Sequence, residues 1–481
     1  MIEGLKPYPA YKDSGVPWLG AVPEHWGAGR LRNVAAMRVS NVDKHTKDDE
    51  LPVRLCNYVD VYKNDRIRER MHFMRATATS GEIERFRLAR GDVLITKDSE
   101  AWDDIGVPAL VDEPADDLIC GYHLALLRPF AQHLRGDYLF RALQTPAVSR
   151  QFHVEANGVT RYGLSHAAIK STWLFLPPLP EQAAIVRFLE HADRRIRRYI
   201  RAKQKLIKLL EQQKQATIHR AVTRGLDPNV RRKPSGLEWL GDVPEHWDAK
   251  PARWHYREVD ERSSTGKEEL LSVSHLTGVT LRSQKNITMF MAESYIGHKL
   301  CREGDLVINT MWAWMAALGI ARQSGIVSPS YAVYRPVSRT SFLPQFIDHL
   351  LRTRAYTAEY VCRSTGIRSS RLRLYPEQFL RIPLICPPLS EQQRILESIA
   401  LDTRECEGAI QMARREIDLL REYRTRLIAD VVTGKLDVRE AAARLPEEGE
   451  ELEELDEAET QAQADEFEAE NAEAEAEEAQ A

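Results

Sequence analysis

A chain of 481 residues with 43% apolar side chains can bury two or three ordinary cores. No run of about 18 apolar residues and no charged-then-apolar leader occurs, so neither a membrane span nor secretion is expected, and a cytoplasmic location is. The net charge of −4 conceals an imbalance: residues 446–481 hold 17 Asp and Glu and no Lys or Arg, leaving 67 basic against 54 acidic side chains elsewhere. A basic body with an acidic end points to a polyanionic partner.

In chain order, the first landmark is GVPWLGAVPEHW at residues 15–26, which returns as GLEWLGDVPEHW at 236–247. Pro23 and Pro244 set a rigid turn, and Trp26 and Trp247 are expected to plug a seam between an insert and a repeated frame. His25 and His246 are read as packed or capping residues rather than metal ligands, and Glu24 and Glu245 as structural. An α+β insert follows, with strands at β-branched runs such as DVLIT from Asp92 and LALLRPF from Leu124. GDYLFRALQTPAVSRQF from Gly136 has helical spacing, and NGVTRYG from Asn157 is a glycine-containing basic loop. LPPLPEQ then leads into a run from Glu181 to about Thr223 without Pro or Gly. It is read as a helix of roughly 65 Å. Leu189, Ile196, Ile200, Ile207 and Leu210 keep 3–4 spacing along it, a heptad seam interrupted by Asp193 and Lys203. The same helix carries a dense basic run, RRIRRYIRAKQK from Arg194.

The pattern then repeats. RYGLSHAAIKSTWLFLPPLPEQ from Arg161 matches RLRLYPEQFLRIPLICPPLSEQ from Arg371 at an offset of 210, and AVTRGLD from Ala221 matches VVTGKLD from Val431 at the same offset. The tryptophan phrases are 221 apart, so the second insert is 11 residues shorter. Ser390 suits an N-cap for the second helix, whose seam is Ile399, Cys406, Ile410, Ile417 and Leu420, interrupted by Arg424. A lone helix this long is marginal, so the two are expected to pair as an antiparallel coiled coil. Between the copies the inserts match only in places, such as GDVLIT at Gly91 and GDLVIN at Gly304. ITKDSEAW at Ile95 and INTMWAWM at Ile308 stand at equal places with different chemistry. The expected fold class is α+β: two tandem mixed α/β domains at 1–176 and 231–386, each followed by its long helix at 177–230 and 387–445. The acidic tail, 446–481, is expected to be disordered or transiently helical.

Catalytic motifs are missing. There is no phosphate loop, no third glycine for a dinucleotide fingerprint after GAGRLR at Gly27, no HExxH and no GxSxG. A DNA amino-methyltransferase needs an Asn/Asp-Pro-Pro-aromatic loop, and the apolar residues before both Pro-Pro pairs cannot accept a hydrogen bond from an exocyclic amine. The six cysteines form no CxxC pair and are read as buried reduced thiols, and no metal site is indicated.

WLGAVPEHW, LPPLPEQAAIV, WLGDVPEHW and CPPLSEQQRIL together resemble the specificity subunit of type I restriction-modification systems over about residues 11–440. The resemblance implies that each insert is a target recognition domain reading one half of a split sequence in double-stranded DNA. It implies that the helices space the readers and dock two adenine-N6 methyltransferase subunits, and that restriction/translocase subunits join that core. No catalytic residue or bound cofactor is expected in this chain. S-adenosylmethionine would sit on the methyltransferase partners, and ATP and magnesium on the motor partner. Candidate DNA contacts are Lys97 and Asn309 in the matched dissimilar stretches, where the alternative is that each stretch packs its own core, and Arg161, Arg368 and Arg371 in the basic loops, where ordinary surface turns are the alternative. Two other readings stand beside this one: a remnant of a fused methyltransferase-endonuclease, and a protein-binding adaptor.

Overall fold

The computed structural model describes residues 5–284, 294–338, 341–366 and 372–446. They fall into two compact units, one holding the residues up to Ala202 with those from Glu416 onward, the other Lys203–Arg415. The division cuts through both long helices, Leu179–Arg224 and Leu389–Val432, so each unit contains one insert and a piece of each helix.

In the first unit the central sheet has the strand order Ala35–Val39, Leu124–Pro129, Val93–Thr96, Pro108–Glu113, Arg66–Arg68, antiparallel but for the last pair. Alternate residues of its inner strands face opposite ways. Val93, Ile95, Ala125 and Leu127 join one apolar cluster with the helices Gly136–Leu143 and Pro146–Glu155. Leu94, Leu124 and Leu126 join a second cluster, beneath the small sheet of Leu118–Cys120, Leu51–Cys56 and Met74–Ala78. Burial on both faces is why VLIT and LALL read as unbroken apolar runs.

The second unit repeats this order with little shared sequence: Tyr256–Val259, Ala332–Pro336, Leu306–Ile308, Leu318–Ile320. The scattered GDVLIT and GDLVIN matches have a shared cause. Gly91 and Gly304 turn with φ of 86° and 88°. The buried Asp92 and Asp305 then accept from a backbone N–H three residues earlier and from an arginine on the neighbouring strand, Arg128 or Arg335.

The repeated phrases form one joint, built twice. In the first unit Glu181 accepts hydrogen bonds from Trp26 Nε1 at 3.1 Å and Tyr8 Oη, and its other oxygen lies 2.7 Å from His25 Nε2. In the second, one oxygen of Glu391, Oε2, serves both partners: it accepts from Trp247 Nε1 at 3.1 Å and lies 2.7 Å from His246 Nε2. The adjacent glutamine grips the insert by backbone atoms alone. Gln182 accepts from the Arg135 N–H and donates to the His133 carbonyl; Gln392 accepts from the Leu343 N–H and donates to the Ser341 carbonyl. The Glu-Gln pair therefore locks the tryptophan phrase with one residue and the insert with the next. Both helices begin directly after the second proline, so Ser390 lies inside the first turn and does not cap it.

Trp26 and Trp247 are fully buried, each against the glycine that ends a long helix. Gly434 (φ +75°) would carry a Cβ 2.5 Å from the rigid Pro23 ring, whereas one on Gly225 (φ +73°) would meet nothing nearer than 3.4 Å. Gly434→Ala is therefore expected to lower the thermal midpoint clearly more than Gly225→Ala, which carries only the backbone strain of about 1 kcal/mol. Equal losses in paired melting curves would rule out the collision.

The helices pair antiparallel within each unit. In the first, Leu189 and Ile196 are buried and Ile200 half-buried, with Ile417 buried and Leu420 half-buried on the second helix. In the second unit Ile207 and Leu210 are half-buried, and Ile399, Cys406 and Ile410 are buried. Lys214–Glu407 and Glu211–Arg414 link the two helices there. The polar interruptions of the first unit's seam meet each other: buried Asp193 takes Arg424, Arg141 and Arg197, and Asp65 of the insert takes Arg424 and Arg197. All six cysteines are free; Cys56, Cys120, Cys301 and Cys406 are buried, Cys386 is half-buried and Cys362 is exposed.

Candidate nucleic-acid interface

In the first unit two loops distant in sequence share one small sheet. Asp98–Ser99, just past the inner strand Val93–Thr96, pairs with Tyr162–Gly163, which pairs back with Asn157–Gly158. The hairpin needs its glycine, because a Cβ at Gly158 would lie 1.9 Å from the Arg161 carbonyl oxygen. Lys97 donates its N–H to the His123 carbonyl and accepts from the Leu164 N–H. Its ammonium lies 3.4 Å from Asp98 Oδ2, which His123 Nδ1 also contacts. His123 has a φ of 66°, a costly conformation for a side chain of that size, at the edge of this cluster. Arg161 is exposed at the hairpin turn.

The short helix Tyr58–Lys63 borders the same loops. Asp60 accepts from the Asn57 N–H at its start. Tyr58 and Tyr62 stack with centroids 5.5 Å apart, and Tyr62 Oη donates to Asp104 at 2.6 Å. Burial pushes the Tyr58 hydroxyl up, while its bond to Ser99 and the Arg161 charge pull the other way. Around these polar groups stand exposed apolar side chains: Val59, Tyr62, Trp102 and Val159.

The second unit brings the matched segments together. The Leu374 N–H donates to the Thr310 carbonyl at 2.8 Å, as that of Leu164 does to Lys97, and Thr365 bridges Arg373. Thr310 therefore occupies the place of Lys97, and Asn309 that of Thr96. One residue earlier on a strand means the opposite face. Asn309 is accordingly buried, donating to Tyr331 Oη at 3.3 Å and accepting from the Met311 N–H at 3.2 Å, so the structure gives it no surface with which to meet DNA. Trp312 replaces Ser99 and stacks on Trp314, while Arg373 donates to Thr310 Oγ1 and lies over the Tyr375 ring. Arg368 and Arg371 lie outside the described residues. Tyr58, Tyr62, Arg373 and Tyr375, which stand beside these loops, were not singled out from the sequence. The offset of 210, which places Arg373 opposite Gly163 of the first hairpin, was the available signal for that one.

Among the described residues no cluster of His, Cys, Asp or Glu could hold a metal ion, and no helix is long and apolar enough to cross a membrane. Residues 58–209 match the family described as the type I restriction modification DNA specificity domain. The chain is similar to a putative type I restriction enzyme MjaX specificity subunit of Methanocaldococcus jannaschii, 22% identical over 231 residues, 48% of this chain. The matched stretch spans about half, 52%, of that relative's length. A solved chain described under "Structural basis underlying complex assembly and conformational transition of the type I R-M system" has 16% identity and a TM-score of 0.57, covering 86% of this chain and 99% of that one; it shares the fold. An HsdS subunit from Thermoanaerobacter tengcongensis has 17% identity, covers 86% of this chain and 98% of its own, and has a TM-score of 0.42. The specificity-domain match falls largely on the first insert and runs into its helix, and the strand order of that insert is repeated in the second.

Proposed function

We propose that this chain is the sequence-reading, non-catalytic subunit of a type I restriction-modification complex, each unit reading one half of a bipartite duplex target. One observation carries the reading. Two units of the same strand order present, at matched loops, different side chains: Lys97, Trp102 and Arg161 in one, Trp314, Arg373 and Tyr375 in the other. Equal scaffolds with unequal reading loops suit two different half-sites, because base edges are told apart by donor and acceptor pattern. The paired helices would carry the readers and dock two adenine-N6 methyltransferase subunits. Leu206, Leu209, Leu401 and Met412 stand exposed on their outer faces in the second unit and suit an apolar partner surface. S-adenosylmethionine would be bound by those subunits, and ATP and magnesium by a restriction/translocase subunit.

Deleting the gene is expected to erase N6-methyladenine from one bipartite motif in base-resolution maps of host DNA. The purified chain alone, given S-adenosylmethionine and host DNA, should transfer no methyl group. Methyl transfer that persists after every other subunit is removed would overturn the non-catalytic role.

A further inference from the structure

We propose that the first unit reads its half-site partly by deformation, with Trp102 and Val159 wedged between stacked base pairs. This rests on the DNA-reading function proposed above. Val159 is 93% exposed at the turn of the Asn157–Gly163 hairpin, and Trp102, on the neighbouring loop, is 53% exposed with an edge contact to His153. Apolar side chains set on adjacent loop tips mark a contact surface rather than a core.

Both tips stand on firm supports. The hairpin is tied by strand pairing to Asp98–Ser99. The Trp102 loop is tied on one side by the Tyr62–Asp104 hydrogen bond. On the other it is tied by Gly106 (φ +77°), where a Cβ would lie 2.5 Å from the Phe152 ring. Ordered tips lose little freedom on binding, so their contacts are not offset by a large ordering cost. Arg161, two residues from Val159, and Lys97 at the base of the loop supply charge for phosphates.

The side-chain chemistry separates the ways such tips can act. Reading a base edge needs donors or acceptors, and valine has none. What remains for Val159 is contact with a thymine methyl or insertion into a base step. A valine and an indole at protruding tips of neighbouring loops favour insertion, because apolar side chains can replace stacking that a base step loses. Pyrimidine–purine steps unstack most easily, so one is expected within the first half-site. Among the described residues of the second unit the tryptophans of the matched loop do not protrude: Trp312 is 5% exposed and Trp314 half-buried, each stacked on the other.

The test uses the full chain with the subunits that co-purify with it, on duplexes carrying the motif found by methylation mapping. 2-Aminopurine replaces adenine at steps in each half, and dyes at the duplex ends report bending. Binding is expected to raise 2-aminopurine emission several-fold at one step of the first half, and to bend the duplex. Trp102→Ala with Val159→Ser should abolish both signals and weaken motif binding about tenfold, leaving low-salt binding to random duplex unchanged. Trp102→Phe with Val159→Ile should keep both signals. Arg161→Ala should instead weaken all duplexes alike and lower the salt slope by about one. A wild-type complex that binds its motif without emission change or bend overturns the wedge, as does a double variant that retains both. Loss of affinity on replacing thymine by uracil, with no bend, would assign the tips to methyl contact. If the wild-type complex selects no motif at all, the DNA-reading function itself falls, and the wedge with it.

Discussion

Asp193→Ala is expected to destabilise the first unit by about 3–5 kcal/mol, the typical loss when one partner of a buried ion pair is removed. Asp193 is 5% exposed and Arg141, which donates to it at 3.1 Å, is 3% exposed. Removing the carboxylate leaves the Arg141 charge buried without its closest counter-ion. Burial works against the Asp193 charge, but Arg424, Arg141 and Arg197 outweigh it and hold the carboxyl well below its usual range. A depressed folded-state pKa stabilises above the unfolded value of about 4 and is lost as pH falls through and below it. Acid unfolding of the first unit should therefore begin below about pH 4, and Asp193→Asn should flatten that dependence. Thr403, 210 residues on, holds the matching place in the second helix; its hydroxyl donates to the Ile399 carbonyl at 2.7 Å. Thr403→Ala should cost about 1 kcal/mol. Denaturant-dependent hydrogen exchange, read unit by unit, checks both. A loss near 1 kcal/mol at Asp193 would mean that the arginines find other partners.

Exchanging residues 252–382 for the insert of a relative is expected to rewrite one half of the methylated motif and leave the other unchanged. The insert leaves and rejoins the frame at one place, because Asp248–Pro251 pairs antiparallel with Pro383–Cys386. Gln392 holds it only through the Leu343 N–H and the Ser341 carbonyl, groups that any sequence supplies. The first insert is held differently, since Arg141 and Asp65 reach Asp193 and Arg424 of the helices through side chains. Exchange of residues 31–172 should therefore preserve methylation only when the donor brings an equivalent arginine and aspartate. Base-resolution maps of methylated adenine decide both cases. A change in both halves after a single exchange would show that the readers are coupled.

The frame was legible because its residues do one job in both copies. Glu181 and Glu391 must each accept a tryptophan and a histidine, so the phrases repeat and the helices between them follow a plain heptad. The seam polarity at Asp193 and Arg424 was visible as an interruption, but their pairing depends on which turns of two helices meet. The reading loops were the least legible. Their positions follow from strand pairing, and Asn309, just past the strand Leu306–Ile308, is buried, as the alternative that its stretch packs its own core requires. Tyr58 and Tyr62 carry no repeat signal, and only the fold brings them beside Asp104 and Arg161.

The joint between Trp26 and Gly434 has an evolutionary consequence. Trp247 is closed by Gly225, at the end of the helix encoded by the first repeat, and Trp26 by Gly434, at the end of the helix encoded by the second. Neither repeat closes its own tryptophan phrase. A gene encoding one repeat would thus yield a protein with an unfilled joint, which a second identical copy could fill reciprocally. Such a homodimer would present two identical inserts, whereas joining the repeats in one chain lets the inserts differ.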